Sequence, residues 1–503
     1  MTAHRGDAEG FRENTLPAIR SAVAMGANHI EFDLQMTSDG EVIVVHDPTL
    51  NRLWHVQHRV SDVLFADVVA IGDADHRPPP LREVLSAIAG SGSVALIDVN
   101  DLSIVAPALA VVGESDCQVA WCGDLEMMRE VRRLDSGARI WMPWRQAKPP
   151  TTGDLADLAP EAINTRAFLA SESFTAAVHA LGLRLSVWTV DNPWDMAMVI
   201  AAGVDHVTSN RPALLHQIIS GDEEDMTAPS RFAKELGIAR GLGGWAIDFT
   251  RAADISGVHS KKDPADLVTD VDMAVEKYVR EVIGAHFPDH DFVGEEMGGS
   301  SHRDAPCWYL DPVDGTANLA NGVPWTAFSL ALVVDGEPVV GVVADPWREE
   351  LFSAERGEGA WRNDVQLQLS PAPVGGEIVD PLRGRIVSTE LANQFPWTGM
   401  LPMLHALGER FCTLRIMGSG TMTVVGVAAG RGVGAVIGRF GPVDHLAAVL
   451  IVSEAGGVVL DQSGAANLFP SSGGILAATP AAAVALHEVW TDAIQASEAP
   501  DGR

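Results

Sequence analysis

Four cysteines in 503 residues are too few to staple a chain of this size. Cys117, Cys122, Cys307 and Cys412 form neither a C-x-x-C pair nor a Cys/His zinc spacing, so they read as reduced thiols of a cytoplasmic protein. No apolar run approaches the roughly 18 residues of a membrane span; even VVGVAAGRGVGAVIG is broken by Arg431. The opening MTAHRGDAEG lacks the apolar core of a secretory signal. Basic residues are scarce: 35 Lys+Arg stand against 67 Asp+Glu, a net charge of −32. Such a surface repels nucleic acid and anionic lipid at long range, so neither is expected as a partner. Internal repeats and low-complexity tracts are absent as well. What remains is ample apolar residue (47%) for full cores and length for two or more domains. Any phosphate site must then be made locally, by metals, a few basic side chains or backbone amides.

The grammar of the chain changes once. Over residues 1–219 short apolar runs (HIEFDLQ, EVIVVH, VALIDV, QVAWC, RLSVWTV, DHVTS) alternate with helical patterns such as LPAIRSAVAMGA and LREVLSAIAG. Strands alternating with helices predict βα units on a parallel sheet, and this length suits a TIM-type (β/α)8 barrel, with a doubly wound open sheet as the alternative. SGDEEDMTAPS, residues 220–230, is acidic and punctuated by Gly and Pro, as a linker is. Over residues 231–497 two long helical stretches come first. Paired strands follow, with FSLALVVDG and EPVVGVVADP predicting a hairpin across Asp335-Gly336, and DHLAAVLIVSEAG then leads directly into GVVLD. That mixture predicts a layered α/β domain.

Three clusters carry the chemistry of the first half. HRGDAEGFRENT sets His4, Arg5 and Gly6 in a row; HIEFDLQ puts Glu31 and Asp33 on one face of a strand; EVIVVHDPTL ends on His46 and Asp47. Two carboxylates at a barrel mouth can hold a hard divalent cation, and two histidines beside it can serve as acid and base. In this order the motifs resemble the glycerophosphodiester phosphodiesterase family. The resemblance implies His4 and His46 as acid and base, Arg5 on phosphate, and Glu31, Asp33 and a later strand carboxylate as ligands of Ca²⁺ or Mg²⁺. That later carboxylate falls on Asp98, where the family's E-x-K reads Asp98-Val99-Asn100 and its lysine is lost. The family's WTVN and ITD read WTVD (188–191) and TSN (208–210). Only three residues precede His4, so the first strand is expected to be stunted unless the chain starts upstream.

The second half is richer in acids. KKDPADLVTDVD supplies Lys261 or Lys262, Asp266, Thr269 and Asp272; DFVGEEMGG supplies Glu295 and Glu296. WYLDPVDGTANLANGVPW packs Asp311, Asp314 and Thr316 into a turn bounded by Pro312 and Gly315, and GPVDHLAAVLIVSEAGG opens a helix with Asp444. So many acids cannot be buried bare, and oxygen-only ligands favour Mg²⁺ over zinc. GEE, DPVDGT and D-H-L-A-A…EAGG, in that order, resemble the inositol monophosphatase family. The resemblance implies Glu295, Asp311, the Val313 carbonyl, Asp314 and Asp444 as ligands of two or more Mg²⁺ ions. It makes Thr316, supported by Asp272, the group that orients the attacking water; independently, Gly315 and Thr316 open a helix whose backbone N–H groups can face the phosphate. The family's WD is Val443-Asp444 here, the acid that reads inositol hydroxyls falls on Ile437, and RIMGSG (415–420) matches the substrate loop loosely.

The sequence therefore predicts a cytoplasmic two-domain hydrolase of small phosphoesters: a phosphodiesterase barrel followed by a Mg²⁺ phosphomonoesterase acting on an inositol phosphate type of substrate. The alternative keeps only the phosphatase active, on inositol phosphate, histidinol phosphate or another small phosphate, with the barrel a phosphoester-binding module. The expected partners are substrates, together with a homodimer formed through the C-terminal domain.

Overall fold

A computed structural model describes the chain apart from residues 74, 222–228, 254, 256, 261–266, 303, 371–379, 393 and 499–503. Most of the expected linker, Lys261, Lys262, Asp266 and the extreme C-terminus therefore lie outside the described residues. The chain divides into two compact units, residues 1–228 and 229–503.

The first unit is a nearly closed parallel barrel. Its strands are, in chain order, Thr2–His4, His29–Met36, Val94–Val99, Val119–Gly123, Trp141–Trp144, Ala162–Arg166, Arg184–Trp188 and His206–Ser209. Thr2–His4 pairs with both His29–Met36 and His206–Ser209, although it has only three residues. Closure is completed by a bridge between Trp121 and Ile140, with the Trp121 amide donating to Arg139 O at 2.8 Å. The circle rules out the open doubly wound sheet. Helices such as Leu16–Ala24, Leu81–Ile88 and Leu125–Leu134 turn apolar faces onto it.

EVIVVH is not a barrel strand. Val42–Val44 folds back antiparallel on the end of His29–Met36, pairing Leu34 with Val44 and Met36 with Val42. Five residues separate these strands, whereas a parallel crossover needs a dozen or more. The hairpin delivers His46 to the barrel mouth. Below the mouth, the rings of His29, Trp141 and His206 pack with centroids 4.7 Å apart. Burial lowers the His29 pKa to about 3 and that of His206 to about 4, so both imidazoles are neutral near pH 7.

The second unit is a stack of alternating layers. Helices Ala233–Ala252 and Asp270–His286 cover a mainly antiparallel eight-stranded sheet running from Asp291–Gly294 to Val365–Leu367. Helices Gly420–Ala428 and Pro442–Glu454 lie between that sheet and a five-stranded one that includes Ile386–Thr389, Gly434–Ile437 and Ile475–Ala478. Almost every residue of Pro442–Glu454 beyond its first turn is buried, as a helix packed on two sides must be. Helices Met400–Glu409 and Ala483–Glu498 close the outer face. The expected hairpin is present: Ala327–Val334 pairs with Glu337–Asp345, and Asp335 and Gly336 both take positive φ (53° and 77°), as a two-residue turn of this hand demands. Among the described residues no helix is long and apolar enough to cross a membrane.

Candidate functional sites

Strand register builds the site at the barrel mouth. His4 lies opposite Glu31, and Asp33 opposite Asp98. Ligand oxygens of Glu31, Asp33 and Asp98 come within 4.8 Å of one another, the one such trio of His, Cys, Asp or Glu among the described residues. Burial and mutual repulsion push Glu31 well above the usual carboxylate range and Asp98 up to about 7. Ionising Glu31 and Asp98 is thus costly unless a cation shares the cluster. Asn100, at the position of the lost lysine, donates to Asp98 Oδ1 at 2.7 Å.

Arg5 is wired into this cluster. Its backbone, at φ 56°, points the amide at Glu31 Oε2 (3.0 Å), while the guanidinium meets Glu13 at 2.8 Å and Asp33 at 3.1 Å. Asn14 adds a 2.9 Å hydrogen bond to Asp33. His46 Nδ1 is 2.7 Å from Asp47, which is held by Arg52, and Arg52 in turn pairs with Glu13. His4 Nδ1 lies 2.6 Å from Asn210 Oδ1, and its Nε2 lies 3.7 Å from Glu31. Both histidines, Arg5 and the three acids line one cavity of about 300 Å³, walled opposite by Trp144 and Trp188. Glu13, Asn14, Arg52, Asp191 and Asn210 are the supports that sequence reasoning missed. ENT in the opening motif contained the first two, but nothing in the sequence linked residues 191 and 210 to His4.

In the second unit Gly294 pairs with Leu310, so Glu295 enters beside Asp311. The ladder slips between Asp311 and Asp314, a bulge that lets acids three positions apart act on one another. Asp311 is 2% exposed, and burial together with Glu295, Asp314 and Asp444 drives its pKa far upward. Asp314 rises to about 7, from burial and Asp444, although it accepts hydrogen bonds from Ser419 Oγ and the Thr421 amide at 2.6 Å each. Asp444 sits in the first turn of Pro442–Glu454, and its carbonyl accepts from Thr421 Oγ1.

The Thr316 hydroxyl lies 3.0 Å from Asp272 Oδ1 and 3.0 Å from the Val313 carbonyl. Asp272 is fully buried and ties down the start of its own helix through Thr269. Gly315, at φ 91°, turns the chain where a Cβ would sit 3.0 Å from the Gly418 and Trp325 carbonyls. Two unforeseen acids frame the site. Glu276, fully buried and paired with Arg280, accepts the Glu296 and Met297 amides, and a Cβ on Gly294 would collide with it. Glu390 accepts the Met417 and Gly418 amides and the Thr423 hydroxyl, fixing the 415–420 loop. Glu276 was findable as an (i, i+4) partner of Arg280 on a helical pattern; Glu390 carried no such signal. Ile437 is 4% exposed in the core strand Gly434–Ile437, where it offers substrate no polar group.

Comparisons with known proteins agree with this division. The model of the inositol monophosphatase family matches residues 234–496, and that of the glycerophosphoryl diester phosphodiesterase family matches residues 4–99 and 119–214. The chain is 38% identical over 224 residues to the Nus factor SuhB of Pasteurella multocida, covering 44% of this chain and 80% of that protein. It is 35% identical over 268 residues to inositol monophosphatase 1 of Solanum lycopersicum, covering 51% and 95% respectively. Among solved structures, the IMPase of Thermotoga maritima is 28% identical with a TM-score of 0.46, covering 52% of this chain and 98% of that one.

Proposed function

The chain belongs to the inositol monophosphatase family through residues 234–496 and carries a glycerophosphoryl diester phosphodiesterase family domain ahead of it; it is a hydrolase of phosphoric ester bonds, and we propose that its two sites act in sequence on one class of substrate. The barrel cleaves a glycerophosphodiester to an alcohol and a phosphomonoester. The second site hydrolyses the monoester, of the glycerol phosphate or inositol phosphate type, to inorganic phosphate. The observation that carries the monoester half of this reading is the Thr316–Asp272 contact set beside Asp311, Glu295, Asp314 and Asp444, whose charges repel at Asp311.

Clustered oxygen donors, with Asp311, Asp314, Glu31 and Asp98 pushed upward in pKa, fit Mg²⁺. Glu295, Asp311, the Val313 carbonyl, Asp314 and Asp444 would hold two or more such ions, while Glu31, Asp33 and Asp98 would hold one Ca²⁺ or Mg²⁺. Bound there, the ions supply charge neutralisation of the phosphate and Lewis-acid activation. The rest falls to the chain. Thr316 has one proton for two acceptors; giving it to Asp272 leaves the hydroxyl oxygen free to accept from, and so orient, the attacking water. In the barrel, His4 and His46 move the protons of diester cleavage while Arg5, braced by Glu13, meets the phosphate. Four free, buried cysteines suit a reducing cytoplasm.

Tethering raises the local product concentration to only about millimolar, and an acidic surface does not retain an anionic intermediate, so the monoester passes through bulk solvent. The test supplies glycerophosphoinositol with Mg²⁺ and Ca²⁺ and follows phosphate release with and without a competing monoester. Phosphate that the competitor suppresses is the expected result. Monoester hydrolysis without any diester cleavage would refute the relay and leave the barrel a binding module.

A further inference from the structure

The two positions at which the barrel departs from the WTVN and ITD patterns, Asp191 and Asn210, meet in space. Asp191 Oδ1 accepts from the Asn210 amide N–H (2.8 Å) and from Ser209 Oγ (2.9 Å), and Asp191 Oδ2 accepts from Asn210 Nδ2 (2.7 Å). One carboxylate thus grips both the backbone and the side chain of Asn210. Flipping the Asn210 amide would aim its oxygen at that carboxylate, so Nδ2 must face Asp191. Its Oδ1 must then face His4 Nδ1, 2.6 Å away. An amide oxygen cannot donate, so the proton of this contact belongs to Nδ1. Neutral imidazole carries one N–H, which leaves Nε2 as a bare lone pair on the side of Glu31 and the cavity.

We infer that Asp191 and Asn210 are positioning residues that lock neutral His4 in its Nδ1–H tautomer and so present Nε2 as the proton acceptor of the barrel reaction. The inference rests on the diesterase reading for its catalytic consequence, but the tautomer stands apart from it. His46 has a different orienter, the Asp47 carboxylate, so the two histidines are fixed by separate devices.

The test uses the full chain with Mg²⁺, at mildly alkaline pH, labelled with ¹⁵N-histidine; the His4 signal is identified by its loss in His4→Gln. The expected result is a protonated Nδ1 and a bare Nε2. Asn210→Leu removes the acceptor and should shift the population toward Nε2–H. Asp191→Asn frees the amide to flip and should mix the tautomers, and Asn210→Asp restores an acceptor and should restore the Nδ1–H form. In diester kinetics, Asn210→Leu should lower kcat roughly 10²-fold or more, the scale of a positioned base, with little change in KM. The urea transition of the barrel unit reports that every variant is folded, since the variants all lie within residues 1–228. A bare Nδ1 in the wild type, or an unchanged His4 tautomer in Asn210→Leu, would overturn the assignment. Should the wild type cleave no diester, the nitrogen signals still decide the tautomer, so the two readings fail separately.

Discussion

Asp314→Asn should make the metal-free protein more stable while destroying its phosphatase activity. Asp314 is raised from the usual 3.8 to about 7 by burial and by Asp444. A carboxyl whose folded pKa lies above its unfolded value is no burden below pH 3.8. The burden grows as pH rises from 3.8 toward 7 and is complete above 7, because over that range the folded state keeps a proton the unfolded chain has already lost. At about 1.4 kcal/mol per pH unit the full difference is about 4 kcal/mol, and partial exposure of Asp314 reduces it to about 2–4 kcal/mol. Asparagine keeps one oxygen for Ser419 and Thr421 and carries no charge. In EDTA at pH 8, Asp314→Asn should therefore gain about 2–4 kcal/mol in urea unfolding of the C-terminal unit, and near pH 4 the gain should vanish. Mg²⁺ should stabilise the wild type strongly at pH 8 and weakly at pH 5, and stabilise the variant little at either. A variant less stable than wild type at pH 8 in EDTA, or equally stabilised by Mg²⁺, would refute the view that this acid is held in place for a cation.

Asp311→Asn should abolish monoester hydrolysis and leave diester cleavage untouched, as phosphate and alcohol release measured on one preparation will tell. His4→Ala and His46→Ala should each cut diester turnover roughly 10²–10⁴-fold, with the double variant far from additive because the pair acts as a unit. Asn100→Lys should lower the diester KM by adding a phosphate contact, and should raise the cation concentration needed for half-activity, since Asp98 exchanges an amide partner for a competing ammonium; an unchanged cation requirement argues against Asp98 as a ligand. His206, lowered to about 4, contributes stability that is complete above its unfolded value of 6.5 and is lost as pH falls toward 4, about 3 kcal/mol in all. His206→Leu should flatten that part of the barrel's urea-stability profile relative to wild type.

The sequence made legible those features whose physics is local. Alternating strands and helices announced a barrel, and Asp335-Gly336 announced the hairpin of the second unit because few other dipeptides tolerate two positive φ values. Two barrel strands escaped, for reasons visible in the residues: WMPW contains a proline and AINTR is half polar, so neither shows the apolar run of a buried parallel strand. The opposite error, EVIVVH, has a strand's composition and simply joins a different partner. Strand propensity says nothing about which edge a strand will find.

The sites divide along the same line. Acids clustered in one motif signal a cation because like charges cannot be buried alone, so Glu31, Asp33, Asp311 and Asp314 stood out before any coordinates. Groups that hold those acids and histidines in place are neutralised or hydrogen-bonded partners, brought from loops and helices elsewhere in the chain, and leave no such trace. Asp191 and Asn210 show the consequence. Taken one at a time, each is a departure from pattern and counts as evidence of decay. Placed together, they satisfy one another's polar groups and turn an amide oxygen toward His4. Asn100 makes the contrasting case: its amide donates to Asp98 Oδ1 and brings no positive charge to the position of the lost lysine. One exchange preserves a geometry and the other removes a cation, and only the removal should weaken substrate binding. The barrel is thus expected to turn over its diester through an intact acid–base pair while binding it through fewer charges, a defect that should surface in KM before kcat.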